Sequence, residues 1–222
     1  AREDGSEEAS LAFVDGLKKG EEDLANDEDF NALMDLIDVY MEYNINKDDP
    51  LSATYDMNDE YLKEGTVAFW PNGSWATDVS ELTDNVGIMP YPMDTKDEVN
   101  AHNLVSGATK MLAVDAAYSS EDEQKAALEF LNWLVYSDYG QKFMVNTCSL
   151  ITAFSNNTQE PEAALSASVA SFVKNGSSVY WYQAMPSDHN TVVGAILQKY
   201  ISGDMDRDEL ISEVSDYWKN HE

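Results

Sequence analysis

Cysteine is nearly absent: Cys148 is the only one in 222 residues. That excludes an intramolecular disulfide and a cysteine-built zinc site. Its surroundings, Asn146-Thr147-Cys148-Ser149-Leu150 beside an apolar helical stretch, read as a buried structural thiol rather than a nucleophile. Basic residues are scarce as well. Thirteen Lys and Arg face 42 Asp and Glu, a formal net charge of −29. Such a field repels phosphate backbones and anionic membranes, so no nucleic-acid partner is expected; a neutral or cationic ligand suits it. The plainer role of the acids is solubility, since most fall on helix faces and loops. Long apolar runs are missing too. Met111-Leu112-Ala113-Val114 is far too short to span a bilayer. The start, Ala1-Arg2-Glu3-Asp4-Gly5, has no apolar h-region and no lipobox cysteine, so an export signal is expected to have been removed or to lie upstream. His102, His189 and His221 are far apart in sequence and match no metal-ligand spacing, so no metal and no cofactor are expected.

What is present is a globular composition, 43% hydrophobic and 11% aromatic. Leu11, Phe13, Val14 and Leu17 give a short apolar face, read as a weak helix or a trimmed loop. Phe30, Leu33, Met34, Ile37, Tyr40 and Met41 recur at helical spacing behind cap residues at 26–29. Lys47-Asp48-Asp49-Pro50 breaks that helix, and a short helix over 56–65 ends at Gly65. Strands are predicted at 66–70, 86–90 and 109–114, and a strand or extended edge at 179–182. Ser74 is placed to cap a helix running to Leu82. Ser120-x-x-Glu123 is a capping box, followed by a helix with Ala127, Phe130, Leu131, Leu134 and Val135 on one face. Further helices are predicted at 138–147, 161–174, 190–201 and 206–219. Strands mixed with helices indicate an α/β fold.

The order of these elements carries a resemblance. Gly65-Thr66-Val67-Ala68-Phe69-Trp70-Pro71-Asn72-Gly73-Ser74-Trp75 resembles a signature of the family 1 extracellular solute-binding proteins, in which a strand runs into an Asn-Gly-Ser-Trp turn. Asn85-Val86-Gly87-Ile88-Met89-Pro90-Tyr91-Pro92 is similar to the family's next strand, and Ser106-Gly107 to the small-residue turn before its hinge strand. The stretch from Ala126 to Trp133-Leu134, followed by Gln141-Lys142-Phe143, resembles its hinge-crossing helices, and Gly203 to Trp218-Lys219 its tail. Cys148-Ser149-Leu150-Ile151-Thr152 departs from the usual Gly-x-x-Pro turn. Family members are longer than this chain. The resemblance therefore implies a type II periplasmic-binding-protein fold, represented here mostly by its C-terminal lobe. Residues 1–106 are its first part and 153–222 its last. Residues 107–152 form the hinge strand and helices that pack on the N-terminal lobe, whose missing N-terminal part is a partner.

A sugar site needs aromatic plates and polar groups around them. The resemblance puts Trp75 in the cleft with Gly73; a core role is its alternative, and core is the reading for Trp70. Asp78, one turn on, is either a hydroxyl acceptor or a solvated helix acid. Ser106 and Gly107 are carried over as lining the site. In Tyr180-Trp181-Tyr182, alternation sets Trp181 opposite its neighbours, one face for the core and one for ligand. Asp188 and Asn190 open a helix that the resemblance aims at ligand; either also reads as an N-cap. Asp204-x-Asp206-x-Asp208 lacks the glycine and glutamate of a calcium loop and reads as acids at a helix start. Asn72-Gly73-Ser74, Asn156-Asn157-Thr158 and Asn175-Gly176-Ser177 match glycosylation sequons, which the bacterial setting of the resemblance discounts.

The function implied is that of an extracytoplasmic substrate-binding subunit, lipid-anchored at the cell surface or periplasmic. It captures a mono- or oligosaccharide between two lobes and delivers it to the permease of an ABC importer, without catalysis. The alternatives are a secreted carbohydrate-active hydrolase domain, for which two carboxylates suffice, and a binding protein for a cationic non-sugar ligand.

Overall fold

A computed structural model describes residues 6–76, 85–93, 102–107, 110–181 and 185–221. Helices dominate, and most of them start on a side-chain cap. Ser6 accepts from the Ala9 N–H at the head of α1 (Glu7–Lys19), and Asp27 from the Phe30 N–H at the head of α2 (Glu28–Tyr43). Thr54 caps α3 (Tyr55–Lys63), which stops before Gly65 at φ 71°. The expected capping box at Ser120 and Glu123 opens α4 (Glu121–Tyr136). A short α5 (Asp138–Lys142) runs into one π-helical turn (Phe143–Thr147), and α6 spans Ala164–Lys174. Last come α7 (His189–Ile201) and α8 (Arg207–Lys219). The latter opens on a second capping box, Asp206 with Glu209, so the run of aspartates lies at a helix start as expected. Among the described residues, no helix is long and apolar enough to cross a membrane.

The sheet is small: β1 (Leu104–Ser106) pairs with β2 (Ser178–Tyr180). Among the described residues, the other predicted strands do not form. Residues 66–70 run without strand pairing, and Phe69 is 74% exposed. At 86–90 a side chain takes the place of a ladder. The Ile88 N–H donates to Ser168 Oγ at 3.1 Å, and that hydroxyl donates back to the Ile88 carbonyl at 3.4 Å. The part of 109–114 that is described is irregular, with Met111 and Leu112 exposed. β-Branched and aromatic residues favour strands only where a neighbouring strand supplies packing and hydrogen bonds. The expected helix from Ser74 to Leu82 falls largely outside the described residues.

By internal contacts the chain forms two units. One comprises Ala1–Ala68, Pro90–Val105 and Ser178–Glu222. Its core is built where α8 meets α1, α2 and α7. Leu210, Val214, Tyr217 and Trp218 recur at helical spacing along α8 and pack with Leu17, Leu24, Met34, Ile196 and Met205. On α2, Met34 enters this core with Phe30 and Ile37 against it, whereas Leu33 is exposed. Charged ties surround the core. Arg207 donates to Asp35 Oδ1 at 2.6 Å and to the Asn31 carbonyl at 2.7 Å, and Lys199 pairs with Glu213 at 3.1 Å.

The second unit comprises Phe69–Met89 and Ser106–Ser177. Its α4–α5 corner is tight. A Cβ on Gly140 would overlap the Leu134 backbone, so no larger residue fits there. The Gln141 side chain donates to the Val135 carbonyl at 2.9 Å, as does Asn156. Ser166 on α6 is fully buried, and its hydroxyl donates to the Ser149 carbonyl at 3.3 Å. Cys148 is exposed, not buried as expected: Met144 and Val145 take the inner face of the π-helical turn and the thiol follows on the outside.

Leu210 is 2% exposed and Leu33 43%. Leu210→Ala is expected to cost about 2–5 kcal/mol in urea unfolding, and Leu33→Ala less than about 0.5 kcal/mol. Equal costs would contradict the assigned core.

Candidate functional site

The turn after the irregular segment at 66–70 is built around a glycine. Asn72 Oδ1 accepts from the Gly73 N–H at 2.9 Å, and the Ala76 N–H donates to the Gly73 carbonyl at 3.1 Å. The Trp75 indole folds back over Gly73, so that a Cβ at that position would require the ring to move. Trp75 is 67% exposed, a surface aromatic lying over the turn. Trp70, read as a core residue, is half-buried and is not among the buried core residues. Ser106 ends β1 and Gly107 follows it, exposed. Asp78 lies outside the described residues.

The other predicted positions belong to the α1–α2–α7–α8 unit. Tyr180 closes β2 at 50% exposure, and Trp181 beyond it is 48% exposed. The expectation that one of these two faces the core is not met. β2 ends at Tyr180, so strand alternation does not carry through to Trp181. Tyr182 lies outside the described residues. Asn190 is exposed in the first turn of α7. Asp188 occupies the N-cap position of α7, but its side chain makes no cap bond.

The carboxylate of Asp188 is engaged elsewhere, in a cluster that sequence reasoning missed. It accepts from the Tyr217 hydroxyl at 2.9 Å and meets His221 Nε2 at 3.1 Å. His221 Nδ1 lies 2.9 Å from the Tyr217 carbonyl. The His189 ring packs on Tyr217 and Trp218, with centroids 5.6 and 5.2 Å away. The signal was present in part: Tyr217 and His221 stand one helical turn apart, and His189 follows Asp188. Nothing along the sequence paired the two stretches.

The cluster's electrostatics follow from these contacts. Hydrogen bonds from Tyr217 and then His221 hold Asp188 below the ordinary carboxylate value. Burial, with the Asp188 bond behind it, pushes Tyr217 up to about 12. His221 is raised, first by the Tyr217 carbonyl and then by Asp188, because a ring that donates from both nitrogens must carry both protons. Lys18 opposes this weakly. His189 is lowered by burial. Among the described residues, no three His, Cys, Asp or Glu side chains are arranged to hold a metal ion. No protein-family model, curated protein or solved structure matches the chain.

The two shifts around the Asp188–His221 contact have opposite signs. A raised histidine stabilises the fold below its unfolded value of 6.5, and that contribution is lost as pH climbs through the higher folded value. A depressed aspartate stabilises above its unfolded value of 3.8, and loses that as pH falls through the lower folded value. The contact is therefore strongest between these limits. Comparing parent with His221→Gln cancels most of the opposing effect of His189. The gap between their urea midpoints should be widest at mildly acid pH and close as pH rises above neutrality. A gap constant across that range would contradict the assigned contact.

Proposed function

We propose that this chain is the greater part of the C-terminal lobe, with a hinge-crossing helical segment, of a type II periplasmic-binding-protein fold. In that reading the whole protein is the extracytoplasmic substrate-binding subunit of an ABC importer, and it takes a neutral mono- or oligosaccharide. Capture occurs between two lobes and delivery is to a membrane permease. Binding is the whole task, with no bond made or broken in the ligand.

The observation that carries this reading is the Trp75 turn. A large aromatic is two-thirds exposed and lies over the glycine of the turn, in the stretch that resembles the family signature. An exposed indole is suited to the C–H face of a sugar ring. The net charge of −29 disfavours anionic ligands and leaves neutral ones unopposed. The α4–α5 hairpin adds support. Phe130 and Trp133 stack at 5.9 Å, and Trp133 meets Tyr139 at 5.8 Å. These rings remain 55%, 44% and 71% exposed in this chain. Such an apolar face suits residues that pack on a lobe supplied from elsewhere in the full protein.

The test is calorimetric titration of the full natural chain with neutral saccharides, beside the Trp75→Ala variant. Removing the plate should lower affinity by about tenfold to a hundredfold, from roughly 1–3 kcal/mol of lost contact. The melting temperature should hold, because the ring is exposed. No saccharide binding by the full chain, or binding only of a cationic ligand such as a polyamine, would overturn the reading. Saccharide binding unchanged by Trp75→Ala would remove Trp75 from the site.

A further inference from the structure

The inner face of α6 carries a hydroxyl where its packing is otherwise apolar. Ser166 is fully buried beside the buried side chains of Leu165 and Val169. A serine inside a helix costs stability unless its hydroxyl is satisfied, commonly by a carbonyl of the preceding turn. Here the hydroxyl reaches out of the helix to two other segments. Ser166 Oγ lies 3.3 Å from the Ser149 carbonyl and 3.5 Å from the Ser74 carbonyl. A hydroxyl has one proton, so these two acceptors share a single donor. Ser149 follows the π-helical turn at φ 53°, a left-handed conformation uncommon for serine. Ser74 immediately precedes Trp75. On the other side of Trp75, the Ala76 N–H donates to the Gly73 carbonyl at 3.1 Å, and Ala76 is buried. The exposed indole thus stands on backbone that is held inward at both of its neighbours. All of these residues belong to one unit. A second serine of α6 serves a different segment: Ser168 Oγ engages the N–H and the carbonyl of Ile88.

We propose that Ser166 is a positioning residue for the Trp75 plate, a role that rests on the sugar-binding reading of Trp75. Ser166 is buried and does not meet ligand. It acts through the Ser74 carbonyl, which belongs to the peptide group from which Trp75 continues. Donation to that carbonyl limits the rotation of the peptide, and so limits the directions in which the Trp75 side chain can leave the backbone. A plate whose backbone is already fixed loses less freedom when a sugar stacks on it, and binds more tightly for that reason. The plainer role for the hydroxyl is to satisfy the Ser149 carbonyl alone. The two roles differ in what they do to Trp75. Positioning acts on affinity only while the indole is present, whereas a purely structural bond acts on stability and leaves the indole as it was.

The test uses the full natural chain, isotope-labelled at tryptophan, with the indole N–H signal of Trp75 assigned by its loss in Trp75→Phe. Ser166→Ala should shift or broaden that signal, and Ser168→Ala should leave it in place. Alanine favours helix, so α6 should survive both changes. If Ser166→Ala does not fold, Ser166→Cys keeps a side chain of similar shape with a weaker donor and is read in the same way. An unmoved Trp75 signal, or an equal change with Ser168→Ala, would overturn the proposal. Calorimetric titration with neutral saccharides is the second arm. Ser166→Ala should weaken binding by about three- to tenfold, the worth of one neutral hydrogen bond. Placed on top of Trp75→Ala, it should weaken binding no further. Equal weakening in both backgrounds would make Ser166 a structural residue and overturn the proposal. If the full chain binds no saccharide, the sugar-binding reading fails and the plate with it, while the indole signal still decides whether Ser166 positions Trp75.

Discussion

The buried face of α8 is the contact on which the first unit depends. Leu210, Val214, Tyr217 and Trp218 close a core to which α1 contributes Leu17, α2 Met34 and α7 Ile196. Neither α1 nor α2 has a strong core of its own. Both are rich in acids, and helices of their length are marginal in water without a packed face. At a net charge of −29 the chain also repels itself, so the placement of its few cations matters. Arg207 stands at the head of α8 with Asp35, Asp38 and the Asn31 carbonyl around it, where one guanidinium joins the two ends of the sequence.

The helices were legible because their signals are local. Ser120 with Glu123 specified where α4 begins, and the 210, 214, 217 and 218 spacing specified which side of α8 is buried. The strands at 66–70, 86–90 and 109–114 were misread because strand formation is not local. Val67-Ala68-Phe69 has the right residues but no strand partner among the described residues, and Ile88 finds a serine hydroxyl instead of another strand. Cys148 was misplaced because a single π-helical turn rotates the side chains that follow it, and no sequence pattern announces such a turn.

The candidate site was legible to different degrees. That Trp75 follows a tight Asn-Gly turn could be read directly. That its ring lies over Gly73 could not, because it depends on a rotamer. The Asp188–Tyr217–His221 cluster was hidden by sequence separation. It joins the head of α7 to the tail of α8, and engages the Asp188 carboxylate, which had been read as a ligand contact or an N-cap. The same fold thus constrains two aromatic environments in opposite ways: Tyr217 is buried with its hydroxyl paired, and Trp75 is left open.

The central claim is that segments distant in sequence form one cooperative unit around α8. Native-state hydrogen exchange, resolved by residue, tests it most directly. Amides in the middle of α1, α2, α7 and α8 should share one level of protection and lose it together in mild denaturant. Free exchange in α1 and α2 while α7 and α8 stay protected would contradict the account.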